Sequence, residues 1–498
     1  MQEIFKTVRP EEVGLQSKNV KKFYEKLEEI GLTTHSVLML RGNSIFTEAY
    51  WHPFHKDFCH RMYSQTKSFV GVAIGLLVED GLISLDDKIC DYFRDKIDKP
   101  VHEYLENQTI RDMLTMTTCL SCENHFLSKD PDRTHIYLNK HTITKPAGTT
   151  WAYDSPGSQV LCNLVERVAK KPLLDFMKER IFDHIGSFKT AQVLKMANGD
   201  SWGDSAMVCT ARDMASFGRF VLNYDTWNGK RLMSEEYLKE ATSPLVDNSL
   251  SNHPSKYHSY GYGYQIWRVG EDCFAFIGMG CQLTICNTKN DIIFVCNSDN
   301  QGSGYTYDTI INLVQTYIFD TVVDEKLPID EKTNQELDAF IAGLKLRSVR
   351  GKKDHPLIDK INGKVYKPIE KNPQGITEFS ISFNKDGSGT FNYVNAQGKK
   401  KIDFKYGENA YQKFPQLGYS DTVGCVPAGG DFMYDCAASG AWTYGNRFII
   451  HVHIIDKYFG NVTMMFTYKD DIVHVNMSKV AEYFLGEYLG MFTAKLAE

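Results

Sequence analysis

Ser64 and Lys67 are the first residues in this chain whose types and spacing suggest chemistry, because they form a Ser-x-x-Lys pattern. Three residues is nearly one helical turn, so both side chains would lie on the same face of a helix. A serine hydroxyl becomes a good nucleophile when a neighbouring base takes its proton. A lysine can be that base when desolvation or nearby positive charge weakens its hold on a proton. The pair therefore predicts nucleophilic catalysis at Ser64, with Lys67 as proton acceptor.

The residues that follow the pair supply the desolvation. An apolar run covers residues 69–78, and Gly81 comes shortly after it. This pattern predicts a buried helix with Ser64 in its first turn and Gly81 as its C-terminal stop. The N–H groups and partial positive charge at the start of such a helix would stabilise an oxyanion. Ser-x-x-Lys also occurs in solvent-exposed helices, so other motifs must decide between the two interpretations.

Two more motifs follow in chain order. Tyr153, Asp154 and Ser155 precede Pro156, which suits the first position of a helix, so they belong to a loop that leads into one. Residues 276–282, Phe-Ile-Gly-Met-Gly-Cys-Gln, belong to a late strand. Taken alone, Tyr153 could be an ordinary packing residue and the glycines could mark a strand bulge.

The order of the three motifs resembles the serine β-lactamase and penicillin-binding protein superfamily, in particular its class C-like branch of esterases, D-aminopeptidases and amidases. The resemblance covers roughly residues 8–320. Four further passages resemble the same branch: residues 9–15, 109–114, 148–153 and 260–264. The resemblance implies a β-lactamase/transpeptidase-like fold and a β-lactamase-related serine hydrolase of esterase, amidase or D-aminopeptidase type.

The resemblance also implies a role for each matched position. Ser64 would be the acylated nucleophile, Lys67 its proton acceptor or relay, and Tyr153 a second group in general acid–base catalysis. Either Lys67 or Tyr153 could take the first proton. The backbone N–H groups of Ser64 and Met279 would form the oxyanion hole.

Four positions are implied as substrate-binding: Ser155, Phe276, Ile277 and Gly278. Two of them depart from the family pattern, since Ser155 stands where asparagine is common and Phe276 where lysine or histidine is common. Phe276 cannot pair with a substrate carboxylate, which favours a neutral or apolar ester or amide over β-lactams. Two other functions stay open: a non-catalytic binding or sensor module of the same fold, and acyl transfer to an amine.

The order of predicted elements indicates an α+β fold in residues 1–322. Strands near both ends of this segment would pair in one antiparallel sheet flanked by helices, with a helical subdomain between them. Residues 323–356 are charged and contain one short helical pattern, which predicts a linker. In residues 357–498 the hydrophobic period changes to two, which predicts an all-β domain, a small barrel or a sandwich. A chain of 498 residues is also too long for a single ordinary core.

The composition of the chain limits the classes of binding partner that we expect. The net charge is −6 and no block of lysine and arginine dominates a segment, so we expect no nucleic acid. Apolar runs are too short for a membrane span, and residues 1–10 lack the features of a signal peptide, so we expect a cytoplasmic protein. The expected partner is a small ester, amide or short peptide. The sequence leaves the oligomeric state open.

Two groups of cysteine and histidine residues have spacings that could suit a metal ion. Cys119 and Cys122 lie near His125, but no second pair follows at a suitable spacing, so ordinary free thiols are the alternative. His451 and His453 share a strand face and His474 lies on a later strand, and here solvent-exposed histidines are the alternative. We therefore expect no metal and no cofactor.

Overall fold

The computed structural model of the protein describes residues 4–497 except 122–127, 129, 224–225, 228, 251–254, 418–432 and 483. These residues form two compact units, the first ending at Lys345 and the second beginning at Leu346. Among the described residues, no helix has both the length and the apolar character needed to cross a bilayer.

The first unit contains fourteen strands and thirteen α-helices within its described part. The strands are β1 (Lys6–Thr7), β2 (Thr34–Arg41), β3 (Ser44–Tyr50), β4 (His60–Arg61), β5 (Leu120–Ser121), β6 (Thr142–Ile143), β7 (Gln192–Val193), β8 (Met207–Cys209), β9 (Thr226–Trp227), β10 (Lys230–Arg231), β11 (Trp267–Gly270), β12 (Cys273–Gly278), β13 (Gln282–Asn287) and β14 (Ile292–Ser298). The helices are α1 (Ser17–Ile30), α2 (Thr66–Glu79), α3 (Ile89–Tyr92), α4 (Glu103–Glu106), α5 (Ile110–Leu114), α6 (Arg133–Asn139), α7 (Ser155–Ala169), α8 (Leu173–Met177), α9 (Asp183–Ile185), α10 (Ala211–Leu222), α11 (Glu235–Ala241), α12 (Tyr305–Val314) and α13 (Glu331–Ala342).

The central sheet of this unit has seven strands in the order β1-β3-β2-β14-β13-β12-β11. The pairs are antiparallel except β1–β3, which is parallel. Strands β2 and β3 form a hairpin, and β2 joins it to the late strands by pairing with β14, where Leu40 pairs with Ile293. This arrangement confirms the predicted α+β class, with strands from both ends of the segment in one sheet.

Helices cover both faces of the sheet, as the alternation along β12 shows. Phe274 and Phe276 lie in the core that also contains the apolar residues of α2. Ala275 and Ile277 lie in the core on the other face. Because successive side chains of a strand point to opposite faces, β12 is buried on both sides.

Helix α2 agrees with its sequence pattern. A 3₁₀ turn over Tyr63–Gln65 leads into it, and every residue from Thr66 to Leu77 is buried. Gly81 ends the segment with a φ of +66°, a conformation that glycine adopts without strain. In residues 82–95, which follow this helix, only Ile89–Tyr92 is α-helical.

The segment predicted as a linker belongs in large part to the first unit. Helix α13 buries Asn334 and Leu337. The Asn334 side-chain amide donates to Glu11 Oε2 at 3.0 Å, and Lys21 pairs with Glu336 at 3.1 Å. The charged sequence hides this packing, because only two of the twelve residues of α13 are buried. The predicted boundary at 323 is therefore too early, and the first unit runs to Lys345.

The second unit is an all-β barrel, the first of the two predicted alternatives. Its helix is α14 (Ile358–Ile361), and its strands are β15 (Val365–Pro368), β16 (Glu378–Phe383), β17 (Ser388–Asn395), β18 (Gly398–Lys405), β19 (Ala410–Leu417), β20 (Met433–Trp442), β21 (Arg447–Ile455), β22 (Phe459–Lys469), β23 (Ile472–Ala481) and β24 (Gly490–Leu496). They pair in the order β18-β17-β16-β15-β24-β23-β22-β21-β20-β19. A further pairing of Lys405 with Ser439 joins β18 to β20 and closes the sheet.

The histidines of this barrel form hydrogen bonds inside it. His451 Nδ1 lies 2.8 Å from Thr463 Oγ1, and His453 Nε2 lies 3.1 Å from the Arg347 carbonyl oxygen. Burial lowers the pKa of His451 to about 4 and the pKa of His453 well below its ordinary value. His453 is buried, so a solvent-exposed face is the wrong interpretation for it.

The remaining candidate metal ligands from the sequence are Cys119, Cys122, His125 and His474. Cys119 is a buried free thiol, whereas Cys122 and His125 lie outside the described residues. His474 Nδ1 lies 3.2 Å from Thr493 Oγ1. Within the described ranges, no three His, Cys, Asp or Glu side chains are grouped as metal ligands would be.

Candidate active site

Ser64 and Lys67 are in hydrogen-bond contact. Ser64 lies in the 3₁₀ turn before α2, and Lys67 lies in the first turn of α2. Lys67 Nζ is 3.1 Å from Ser64 Oγ and 2.6 Å from the carbonyl oxygen of Asp204. The lysine is only 2% exposed. The predicted spacing thus places a desolvated amine against the candidate nucleophile.

The backbone before Ser64 is held in an unusual conformation. Tyr63 has a φ of +48°, in the left-handed region that residues other than glycine rarely adopt. Such a conformation costs on the order of 1–3 kcal/mol, and strained residues of this kind cluster at functional sites. The Met62 N–H donates to the Met207 carbonyl at 2.8 Å, which extends the β4–β8 pairing up to the turn. The fold therefore holds the Ser64 turn from its N-terminal side.

Tyr153 lies beside Lys67. Lys67 Nζ is 5.2 Å from the centroid of the Tyr153 ring. The same ring stacks on Trp267, with centroids 5.7 Å apart and planes 23° apart. Tyr153 is 41% exposed, so its ring is accessible to a ligand. The structure thus brings together the three side chains that the sequence predicts as catalytic.

Asp154 fixes the loop that carries Tyr153, a role the sequence interpretation did not assign. Its carboxylate caps α7 by accepting from the Gly157 N–H at 2.9 Å. It also accepts from Thr118 Oγ1 at 2.9 Å and from the Tyr137 hydroxyl at 3.2 Å. Burial raises the pKa of Asp154 above its ordinary value, despite these three donors. The Asp-x-x-Gly spacing was the available signal, since it fits a helix cap.

Replacing Asp154 with asparagine is expected to alter how stability depends on pH. Because the folded pKa is raised, the wild-type carboxyl stabilises the fold fully below its unfolded pKa of about 3.9. That contribution is lost as pH rises through the folded pKa. The free energy of unfolding of Asp154→Asn should therefore improve relative to wild type from pH 4 upward. Chemical denaturation at a series of pH values measures this difference.

Asp330→Asn is a control with the opposite sign. Asp330 caps α13, and hydrogen bonds from the Thr333 N–H and hydroxyl lower its pKa. Its stabilising contribution is present above the unfolded pKa and is lost as pH falls. This variant should therefore lose stability relative to wild type as pH rises. Parallel pH profiles for the two variants would contradict the account of Asp154.

The end of β12 lies against the Ser64 turn. A Cβ atom added to Gly278 would come within 2.2 Å of the Met62 carbonyl oxygen and 3.2 Å of Ser64 N. The Gly278 carbonyl accepts from the Tyr307 hydroxyl at 3.0 Å, and the Met279 carbonyl accepts from Gln282 Nε2 at 2.8 Å. An N–H at a helix start has no acceptor in its own helix, which is the condition that the predicted oxyanion role of the Ser64 N–H requires.

Gly278→Ala is expected to disturb this contact strongly. The added methyl group would overlap the Met62 carbonyl, so either the turn or the strand must move. Loss of one oxyanion donor typically costs about 100- to 1000-fold in rate, so acylation of Ser64 should fall at least about 100-fold. The second-order rate of labelling by a serine-directed probe measures the loss. Gly270→Ala is the matched control, because its added Cβ would meet only Cys273 Cβ, at an ordinary 3.7 Å.

The other predicted substrate-binding residues lie differently from expectation. Phe276 is 0% exposed and packs on Phe217 of α10, with ring centroids 5.0 Å apart. Ile277 is buried in the core of the opposite face. Both side chains are buried, so a substrate-binding role for these two residues, which stays a prediction, would have to use their backbone groups. Ser155 is partly exposed at the first position of α7, beside Tyr153.

Comparison with known proteins gives a family match that lies within the first unit. The family model described as Beta-lactamase matches residues 20–313. The 6-aminohexanoate-dimer hydrolase of Paenarthrobacter ureafaciens is 21% identical over 276 residues, which cover 51% of this chain and 69% of that protein. An uncharacterised protein of Alkalihalophilus pseudofirmus is 27% identical over 264 residues, or 48% of this chain and 72% of that protein.

A solved structure gives a similar result for the fold. D-amino acid amidase from Ochrobactrum anthropi superposes with a TM-score of 0.50 at 16% identity. The superposition covers 61% of this chain and 98% of the amidase. At this level of identity the likeness concerns the fold alone.

Proposed function

Because the chain belongs to the beta-lactamase family, whose model matches more than half of its 498 residues, we propose that it is a serine hydrolase. It cleaves a carboxylic ester or amide through an acyl-enzyme on Ser64. The observation that carries this proposal is the 3.1 Å contact between Lys67 Nζ and Ser64 Oγ at a buried amine. The activities named among the relatives reported above are hydrolase and amidase.

In the proposed acylation, Ser64 Oγ attacks the substrate carbonyl carbon and its proton passes to Lys67 or Tyr153. The carbonyl oxygen becomes an oxyanion that accepts hydrogen bonds from the N–H groups of Ser64 and Met279. The carbon–oxygen or carbon–nitrogen bond then breaks, and the leaving group takes a proton from Lys67 or Tyr153. Water attacks the acyl-enzyme in the second half-reaction, releasing the acid and restoring the Ser64 hydroxyl.

The expected substrate is neutral near the scissile bond on the β12 side. A residue with a positive charge would suit a substrate carboxylate, but Phe276 has none and is buried in the core. The accessible aromatic ring of Tyr153, stacked on Trp267, suits an apolar or aromatic acyl group. Short amides and apolar esters are therefore preferred over β-lactams with a free carboxylate.

A fluorophosphonate probe followed by peptide mapping tests the proposal. We expect one adduct, on the peptide that contains Ser64, and the modified atom should be its hydroxyl oxygen. Ser68 is an internal control, because its buried hydroxyl already donates to the Gln265 carbonyl at 2.7 Å. No adduct on Ser64 in folded protein would refute the proposal. A stable adduct without turnover of nitrophenyl esters would indicate a binding module, and product partitioning with an added amine would indicate acyl transfer.

A further inference from the structure

A buried ion pair lies next to the candidate active site. Arg133 of α6 and Asp204, which precedes β8, approach each other at 3.6 Å between Nη1 and Oδ1, and each side chain is 1% exposed. Within the part of the chain that the structure describes, neither carboxylate oxygen of Asp204 has a hydrogen-bond partner. Burying two charges is costly, so a pair without ideal hydrogen bonds calls for a reason other than stability.

The residues around Asp204 are held on several sides. The Trp202 ring is contacted by two guanidinium groups, Arg61 at 4.6 Å and Arg133 at 4.9 Å from its centroid. Arg61 Nε donates to the Ser205 carbonyl at 3.1 Å. The Gly203 N–H donates to Gln159 Oε1 of α7 at 2.9 Å. The backbone is thus anchored immediately before and after Asp204, and the ion pair anchors Asp204 itself.

The anchored residue supplies the carbonyl that holds Lys67, at 2.6 Å from Nζ. A neutral amine has two N–H donors and one lone pair. When one N–H is given to the Asp204 carbonyl, rotation of the amine is restricted and the lone pair can be directed at Ser64 Oγ, 3.1 Å away. An error of about 1 Å in such an alignment can cost about 100-fold in rate.

We propose that Arg133 and Asp204 are positioning residues whose ion pair fixes the Asp204 carbonyl and so aims Lys67 at Ser64. This inference rests on the proposed serine-hydrolase function. Both residues act through Lys67. The side chains therefore influence the proton-transfer step while leaving substrate affinity unchanged.

Side-chain variants test the inference cleanly, because the backbone carbonyl of residue 204 is present in all of them. In Arg133→Gln and in Asp204→Asn we expect acylation of Ser64 to slow at least about tenfold. In single-turnover measurements with a nitrophenyl ester, the substrate dissociation constant should stay within about twofold of wild type, so the loss appears in the acylation rate constant. Arg133→Lys keeps the charge without the planar stack on Trp202, and its rate should lie between wild type and Arg133→Gln.

A double variant tests whether Arg133 and Asp204 affect acylation through one shared interaction. Arg133→Gln combined with Asp204→Asn should acylate no more slowly than the slower single variant, because it leaves no unpaired buried charge. Multiplied losses in the double variant would contradict the proposal. Arg212→Gln is the matched control, since it removes an ion pair with Glu48 of β3 at 2.7 Å in the same unit. It should change the melting temperature without a selective loss in the acylation rate constant.

The outcomes separate this inference from the proposed function. If wild-type protein forms no adduct on Ser64, the proposed function itself fails. If wild type is labelled but folded Arg133→Gln and Asp204→Asn acylate at the wild-type rate, only the positioning role is overturned. If either of these variants fails to fold, Arg133→Lys is used in its place. Acylation of Ser64 at the wild-type rate in Arg133→Lys would then overturn the positioning role.

Discussion

Ser64→Ala is expected to abolish probe labelling and to lower ester hydrolysis by about 10⁴-fold or more. The alanine side chain has no oxygen to form an acyl bond, and the rest of the site alone gives only a small residual rate. The fold should survive, because the change removes a single atom from a partly exposed residue. Labelling kinetics and nitrophenyl ester turnover measure the effect.

Ser68→Ala is the matched control for this result. Ser68 lies one residue beyond Lys67, and its hydroxyl donates to the Gln265 carbonyl at 2.7 Å. Its loss should cost about 1–3 kcal/mol of stability, because a buried acceptor is left unsatisfied. Labelling of Ser64 should stay within a few-fold of wild type. Equal labelling of wild type and Ser64→Ala would place the reactive group elsewhere and end the acyl-enzyme proposal.

The local part of the site could be predicted because helical geometry fixes it. One helical turn separates Ser64 from Lys67, so a correct helix prediction already implies their contact, and the structure gives 3.1 Å. Strands β2 and β3 likewise follow from two short apolar segments and the Gly-containing turn between them. In both cases the information lies within a short segment.

The distant part of the site has no such local signal. Asp204 accepts a hydrogen bond from Lys67 through its backbone carbonyl. Every residue type has this group, so the residue type at position 204 does not reveal that it contacts Lys67. Arg133 contacts Asp204 from a position 71 residues earlier in the chain. The sequence around Arg133 and the sequence around Asp204 contain no pattern that would distinguish a buried arginine from an exposed one.

Phe276 lies at a position that matches the family motif, but its side chain does not have the environment that the motif suggests. Its place in the third motif suggests contact with a substrate, yet its ring packs on Phe217. A strand buried on both faces has an apolar residue at every position, so alternation gives no indication of which side faces the site. The buried strand β12 contributes its end instead, where Gly278 lets the backbone approach Ser64.

Lys67→Met is the second change with a large expected effect. Methionine has a similar length and suits a buried position, but it cannot accept a proton. Proton transfer of this kind contributes about 10²- to 10⁴-fold, and the site also loses the amine beside Tyr153, so acylation should fall by about 10³-fold or more. The rate of probe labelling measures the loss, and melting temperature shows whether the fold is kept.

Lys67→Arg separates proton transfer from simple electrostatics. Arginine keeps the positive charge and can still donate to the Asp204 carbonyl, but it does not give up its proton in proteins. If Lys67 accepts the proton of Ser64, Lys67→Arg should be nearly as slow as Lys67→Met. If Lys67→Arg instead retains most of the wild-type acylation rate, the charge alone suffices, and Tyr153 takes the first proton. Together the two variants show whether Lys67 or Tyr153 takes the first proton, which the sequence spacing leaves open. Both variants change only Lys67 and leave Tyr153 and the Asp204 carbonyl in place.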